Sequence, residues 1–441
     1  MLKAALHNLG CKVNAYETEV MEQLLIENGY EIVDFADKAD VYVINTCSVT
    51  NIADRKSRQM IHQAARRNPD AIIVAAGCYV QTSKEEAAND PDIDIIIGNN
   101  EKNRIVELLR EFEEKRKNES DSKNAGITGL HDLMHEVTYE QMLLKKSMEH
   151  TRAFIKVQDG CNQFCTYCII PYARGRVRSR TIEDVIEEVR LLVKSGVKEV
   201  VLTGIHVSSY GVDTGSSLIE LIEAISEVDG IERIRLSSLE PRVITDEFVD
   251  RLSKIDMICP HFHLSLQSGS DSVLKRMNRK YDTAEYEKCC ERLRAAFTHP
   301  AITTDIICGF PGETDAEFSE TIEFVKRIKF FETHLFKYSK RKGTVAAGMP
   351  GQITEAVKAE RSHRLSEIQS EYKKGFMSYY IGREEEILVE DTEVIDGETY
   401  YVGLNKEYVR FLIPESKFEG AVNTFVTVIA RTFLNSDSLC V

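Results

Sequence analysis

Short apolar runs separated by stretches of helical period fill the first hundred residues. KAALHNL, VYVINT, AIIVAAG and IDIIIGN are the runs; TEVMEQLLIENG, SRQMIHQAARRN and EKNRIVELLREF carry the helical spacing. Strand-sized and helix-sized segments in alternation predict an α/β domain on a mostly parallel sheet over residues 1–109. Residues 110–149 begin polar, change charge sign repeatedly and hold no sustained apolar period, so they read as an extended linker. From 150 to 371 a strand-then-helix unit recurs, with strands AFIKVQD, EVVLTG, RIRLSS, HFHLSLQ, AITTDIICG and ETHLFKY. Such repetition predicts an open, partial (βα)6 barrel whose chemistry collects at the carboxyl ends of its strands. Over 372–441 the pattern turns to short β segments, EEEILVED, TYYVGLN, YVRFLIP and VNTFVTVIA. These predict a small β-barrel, an architecture that commonly binds nucleic acid.

Composition narrows the class. The 441 residues are 43% apolar and 29% charged, and no apolar run approaches the ~20 residues that span a bilayer. The N-terminus, MLKAALHNLG, lacks a basic start, a long apolar core and a small-residue cleavage site, so a cytoplasmic protein with no membrane partner is expected. A net charge of −15 argues against indiscriminate coating of nucleic acid; any RNA contact must come from local basic patches. Eleven cysteines in a reducing compartment point to metal binding before disulfides.

The sharpest chemistry is DGCNQFCTYC at the end of the first barrel strand: Cys161, Cys165 and Cys168, with Phe164 and Tyr167 interleaved. Three thiolates hold three irons of a 4Fe-4S cube and leave the fourth open to a small ligand, whereas electron carriers with four cysteines close every site. A tetrahedral zinc site would need a fourth donor, and the closest downstream candidate is His206. The same strand-end level carries Thr203 and Gly204, then Ser237, Ser238 and Glu240, then Gln267, Ser268 and Gly269, and lastly Asp305, Gly309, Pro311 and Gly312. A second trio, Cys11 in NLGCKVN, Cys47 in INTCSVT and Cys78 in AAGCYVQ, shares register: each cysteine follows an apolar run and emerges at the carboxyl edge of the sheet. Three separate packing cysteines account for that pattern equally well.

CxxxCxxC on a first strand before a partial βα barrel resembles the radical S-adenosylmethionine superfamily. With the N-terminal trio and the terminal β-barrel, the whole chain resembles the methylthiotransferases. The resemblance implies two 4Fe-4S clusters, one on Cys161, Cys165 and Cys168 and an auxiliary one on Cys11, Cys47 and Cys78. It implies S-adenosylmethionine as methyl donor and as source of a 5′-deoxyadenosyl radical, held by Thr203, Gly204, Ser237, Ser238, Glu240, Gln267 and Asp305. It also implies a transfer RNA substrate, a flavodoxin- or ferredoxin-like reducing system, a sulfur donor and an RNA-binding, OB-like terminal domain of the TRAM type. Enzymes of the family acting on isopentenyladenosine tend to read GCQMN after the first cysteine, and those acting on a ribosomal protein GCPKN. LGCKVNAYETE, INTCSVTNIADRKSRQ and YSKRKGT are instead similar to the subgroup that modifies C2 of N6-threonylcarbamoyladenosine next to the anticodon.

Charge placement agrees with an RNA substrate. Arg174, Arg176, Arg178 and Arg180 alternate, so on an extended segment they form one basic stripe beside the active site. Lys340, Arg341 and Lys342 extend it, while Arg66 and Arg67 read as a solvated face. The terminal domain offers Lys406, Arg410 and Lys417 with Tyr400, Tyr401 and Tyr408 for phosphate contact and stacking. Cys259, Cys289, Cys290 and Cys440 read as structural, Cys308 as either packing or pocket, and Glu17 as a helix-starting acid. A non-enzymatic iron-sulfur protein, for RNA binding or electron transfer, is the competing class; its cluster would not respond to S-adenosylmethionine.

Overall fold

The computed structural model describes residues 1–118, 127–147 and 151–441. The N-terminal unit runs β1 (Lys3–Asn8), α1 (Lys12–Glu27), β2 (Glu31–Ile32), β3 (Val41–Thr46), α2 (Asn51–Arg67), β4 (Ile72–Gly77), α3 (Cys78–Thr82), α4 (Lys84–Ala88), β5 (Ile95–Ile97), α5 (Ile105–Asn118) and β6 (Ile127–Gly129). Its strands pair in parallel in the order β2-β1-β3-β4-β5-β6. β3 and β4 are buried along their whole length, as continuous apolar runs covered on both faces must be. The strand order reverses between β1 and β3, so a crevice opens beyond their carboxyl ends. Cys11 and Cys47 stand on its two sides.

The stretch read as a linker is partly built into the fold. α5 continues to Asn118 and β6 adds a sixth strand to the sheet. Leu133, Tyr139, Glu140, Met142 and Leu144 are buried between the units; residues 119–126 and 148–150 lie outside the described ones. The apolar contacts are single residues in a polar setting, which leaves no period to detect.

The second unit contains β7 (Arg152–Asp159), α6 (Ile170–Arg174), β8 (Arg178–Ser179), α7 (Ile182–Lys194), β9 (Glu199–Gly204), α8 (Leu218–Ser226), β10 (Arg233–Leu236), α9 (Asp246–Leu252), β11 (His261–His263), α10 (Asp271–Arg276), α11 (Thr283–Ala296), β12 (Ala301–Cys308), α12 (Asp315–Ile328), β13 (Glu332–Lys337) and α13 (Glu355–Ser378). Strands β7, β9, β10, β11, β12 and β13 follow one another as the partial barrel, with β10 and β11 linked by single bridges. The helices α7, α8, α9 and α11 start on the capping side chains of Thr181, Ser217, Thr245 and Asp282, each of which satisfies an orphan backbone N–H. One large apolar core joins the outer strand faces, through Ile155, Leu202, Leu236, Leu264 and Ile306, to the helices.

The last unit is β14 (Glu384–Ile395), β15 (Glu398–Leu404), β16 (Arg410–Pro414), β17 (Phe425–Ile429), β18 (Thr432–Asn435) and β19 (Ser438–Cys440), ordered β17-β14-β15-β16-β19-β18 and mostly antiparallel. Its edge strands β17 and β18 are separated only by Ala430 and Arg431, so the sheet curls back on itself. Among the described residues no helix is long and apolar enough to cross a membrane.

Charge joins the first two units. Glu17 lies six residues into α1 and is fully buried, so it is not the helix-starting acid expected from its place after Cys11. Its carboxylate accepts from Lys156 Nζ at 2.7 Å and Arg174 at 2.8 and 3.0 Å, and also pairs with Lys102. Burial alone would raise the Glu17 carboxyl; Arg174, Lys102 and Lys156 outweigh it and hold it well below the usual carboxylate range. Asp159 completes the cluster, 2.7 Å from Lys156, and is held at about 2 by Lys156, Arg174 and Arg178 despite burial. Removing one partner from a buried ion group leaves an uncompensated charge at a cost of about 3–5 kcal/mol. Glu17→Gln is therefore expected to lower the thermal midpoint and expose the region around 130–147 to limited proteolysis, with Glu27→Gln as a silent surface control. The folded carboxyls titrate below their unfolded values, so their contribution is complete above about pH 4 and lost toward pH 2. Acid titration of the wild type against Glu17→Gln checks that window.

Candidate active site between two cysteine trios

Backbone constraints assemble the N-terminal trio. Gly10 takes φ +108°, and an added Cβ would meet the Cys47 Cβ and Sγ at 2.9 Å. Gly77, at φ +97°, would meet Asn45 Oδ1 and the Thr46 carbonyl at 2.7 Å. Glycine at both places lets the loops carrying Cys11, Cys47 and Cys78 crowd together. Asn14 ties them further, donating to the carbonyls of Leu9 and Thr46 at 2.7 and 3.0 Å. Asn99 donates to Cys78 Sγ at 3.4 Å and to the Ala173 carbonyl of the barrel at 2.9 Å. Burial, then the neighbouring thiols of Cys78 and Cys11, pushes Cys47 up to about 12. Such thiols release protons when a metal binds.

Cys11 and Lys12 keep accessible surface. Yet burial raises the Cys11 thiol, and burial together with Arg152 and Arg235 lowers Lys12 to about 8. The two facts agree if the surface they expose lines an interior chamber, with Arg152 on β7 and Arg235 on β10 across it.

Cys161, Cys165 and Cys168 are half-buried on the loop that leaves β7. Gly160 turns that loop against the backbone of Arg176, where a Cβ would lie 1.8 Å from the carbonyl oxygen. Phe164 takes φ +49°, and Asn278 donates to its carbonyl at 3.0 Å. Thr166 is anchored through the carbonyls of Met277 and Arg276. Arg279 donates to Cys165 Sγ at 3.3 Å. Burial moves Cys161 up to about 11 and Cys168 up to about 12. Beyond the loop, α6 reaches the other trio, because Arg174 at its end donates to Asn14 Oδ1 at 2.6 Å.

Around this loop, Thr203, Ser237, Glu240 and Gln267 are buried at strand ends, Gly204 and Asp305 are half-buried, and Ser238 is exposed. Glu240 accepts from Gln163 at 3.1 Å and faces His206 Nε2 at 3.4 Å. Although burial opposes it, His206 lowers the Glu240 carboxyl, which stays ionised. The buried Ser237 Oγ has no hydrogen-bond partner among the described residues. Gly309 does not open onto a ligand: its close approach is to Lys358 of α13, at 2.4 Å from an added Cβ. Cys308, Cys289 and Cys290 lie in the apolar core.

The donor sets fit clusters better than single ions. Among the described residues, His263-Asp305-His334 and His62-Asp90-Asp92 bring ligand atoms within 4.8 Å of one another, and neither cysteine trio does. A four-iron cube spans more than one ion, and its open iron needs no fourth protein ligand. Residues that sequence reading missed, Arg279, Asn14, Asn99, Lys102 and Lys156, act across 50 residues or more and leave no local signal.

The basic stripe is corrected. Arg174 belongs to a helix, and β8 folds back antiparallel on β7 through Gln158 with Ser179 and Asp159 with Arg178. That pairing turns Arg178 and Arg180 inward, and Arg174, Arg178 and Arg180 are buried among Glu17, Asp159 and Glu188. Arg176 alone stays exposed, its guanidinium 4.6 Å from the Phe164 ring. Arg341 is likewise buried on Asp54. In the terminal unit Lys406 donates to the Asp256 carbonyl, Arg410 pairs with Glu393, and Tyr408 stacks on His261 at 4.8 Å. Lys406 and Tyr408 thus join that unit to the barrel instead of facing free solvent.

Comparison with known proteins decides the family. Residues 155–325 match the model of the Radical SAM superfamily, and residues 3–98 that of Uncharacterized protein family UPF0004. A Bacillus subtilis (strain 168) protein named Threonylcarbamoyladenosine tRNA methylthiotransferase MtaB is 44% identical over 93% of this chain and 90% of its own. The chain belongs to the radical S-adenosylmethionine methylthiotransferases. An Aquifex aeolicus (strain VF5) protein of the same name is 41% identical over 90% of this chain and 95% of its own. A Thermoanaerobacter sp. (strain X514) tRNA-2-methylthio-N(6)-dimethylallyladenosine synthase is 37% identical over 86% and 80%. The fold is shared with the radical S-adenosylmethionine methyltransferase TsrM from Kitasatospora setae, at TM-score 0.56 and 17% identity over 76% of this chain and 75% of that one. The cofactors of this family are S-adenosylmethionine and 4Fe-4S clusters.

Two independent sites make separable predictions. Replacing Cys161, Cys165 and Cys168 together with alanine is expected to lower iron from about eight to about four atoms per chain and abolish cleavage of S-adenosylmethionine. Replacing Arg279 with methionine removes a positive donor from Cys165 and is expected to move one cluster to a more negative potential in a redox titration, the other staying fixed.

Proposed function

We propose that the chain transfers a methylthio group to C2 of N6-threonylcarbamoyladenosine in transfer RNA. The observation that carries this reading is the joining of two three-thiol sites through α6, Arg174 and the Glu17 cluster, in a chain 44% identical to a relative named for that reaction. Cys161, Cys165 and Cys168 hold one cluster and Cys11, Cys47 and Cys78 the other. When bound, the clusters and S-adenosylmethionine supply reductive bond cleavage and the methylthio group, while the protein positions and shields the reacting centre.

This chain's own groups do the positioning. The ionised Glu240, steadied by His206 and Gln163, would hold the ammonium of the cofactor's methionyl part. Ser237 Oγ supplies a free hydroxyl beside it. Thr203, Gly204, Ser238 and Gln267 line the remaining strand ends; Asp305, expected there as well, lies inside β12 instead, 3.2 Å from His263 Nε2. Tyr167, packed edge-on to Phe310 with ring centres 6.4 Å apart, keeps water from the cluster loop. A flavodoxin- or ferredoxin-like protein delivers electrons, and a separate donor replaces the sulfur that each turnover removes.

Nucleosides of digested transfer RNA from cells with and without the gene test the reading by mass spectrometry. The 2-methylthio form of threonylcarbamoyladenosine is expected to vanish and its precursor to accumulate. Loss of the methylthio isopentenyl nucleoside instead would reassign the substrate.

A further inference from the structure

Exposed positive charge is not confined to Arg176, Lys340 and Lys342. A cavity of about 590 Å³ opens at the amino ends of β12 and β13, on the side of the barrel away from the cysteine loop. Pro300, Ile302 and Phe331 contribute its apolar lining. Arg294 and Lys329, at the ends of α11 and α12, stand on its rim beside Tyr372 and Phe376 of α13. His299 stacks between Phe376 and Tyr379, with ring centres 4.1 and 4.0 Å away, and Arg383 lies 4.0 Å from the Tyr379 ring.

The charge there is unbalanced. Arg327 is paired with Glu287 at 2.9 Å. Arg294, Lys329, Lys374 and Arg383 have no carboxylate within ion-pair distance among the described residues. Backbone carbonyls alone answer two of them, Ile328 for Arg294 and Tyr379 for Arg383, and Lys374 stands over the Phe433 ring of the C-terminal unit. His299 reports the same field: its pKa is lowered by burial and further by Arg383 and Arg294. Flat aromatic rings beside cations suit a base and its phosphate, since stacking and phosphate contact together bind single-stranded nucleic acid. Lys374 and Arg383 continue the charge from the cavity toward the C-terminal unit, as an extended polyanion requires.

Resting on the transfer RNA reading above, we propose that this cavity docks a nucleotide of the transfer RNA away from the modified base. The base lies against Tyr372 at the rim, since Phe376 is already packed between His299 and Phe331, and Lys329 with Arg294 draws the phosphate. The site binds substrate without touching the chemistry, so it sets affinity and orientation.

The test uses the cluster-loaded full chain and transfer RNA purified from cells lacking the gene. Binding is measured at several salt concentrations for the wild type, Lys329→Glu/Lys374→Glu, Lys329→Arg/Lys374→Arg and Tyr372→Ala. The double reversal is expected to weaken binding by about 10-fold or more and flatten the salt dependence by about two counterions. The arginine pair retains binding, Tyr372→Ala loses part of it at an unchanged salt slope, and iron content stays constant in all. Wild-type affinity and slope in the double reversal and in Tyr372→Ala would overturn the proposal. So would unchanged transfer RNA binding with slowed reduction by flavodoxin, which would assign the face to an acidic electron carrier. Failure of the wild type itself to bind transfer RNA would instead remove the reading beneath it.

Discussion

A single buried carboxylate, Glu17, holds the catalytic halves in register. Three cations converge on it, Lys102 from its own unit and Lys156 and Arg174 from the barrel. Desolvating so much charge is costly unless geometry and hydrogen bonding are nearly complete, so the cluster tolerates one mutual placement of the two units and penalises others. Because Arg174 ends the helix that leaves the Cys161–Cys168 loop, and Glu17 lies fewer than two helical turns beyond Cys11, that placement also fixes the two trios. Specificity of docking is the best account of why charge, and not an apolar interface, occupies this junction.

The fold was largely legible because its signal is local. Six barrel strands and the parallel N-terminal sheet announce themselves as apolar runs such as EVVLTG and AIIVAAG, and both cysteine trios sit where runs end. What was not legible depends on pairing between distant segments. The arginines of RGRVRSR alternate as an exposed stripe would, yet Arg174 is buried at the end of a helix and the fold-back of β8 on β7 sends Arg178 and Arg180 inward. Residues 130–147 look like a linker because the apolar residues buried there are isolated from one another in sequence. Glu17 looks like a dipole-stabilising acid because none of its partners is closer than 85 residues along the chain.

The same pairing explains how an acidic protein handles a polyanion. Most arginines near the trios are consumed by the structure, neutralised by Glu17, Asp159, Glu188 and Asp54. Arg176 stays exposed beside the cysteine loop, and Lys329 adds exposed charge at the amino-terminal side of the barrel. Separating the two tasks keeps the chamber's electrostatics fixed by the fold and leaves substrate docking to groups whose loss does not disturb the clusters.

Electron paramagnetic resonance of the fully reduced, two-cluster protein measures whether the Glu17 cluster holds the two iron-sulfur sites close together. Mutual broadening and faster spin relaxation of the two signals are expected, reduced in Glu17→Gln at equal iron content. Spectra that are the plain sum of those from the two single-trio variants, in wild type and Glu17→Gln alike, would contradict that placement.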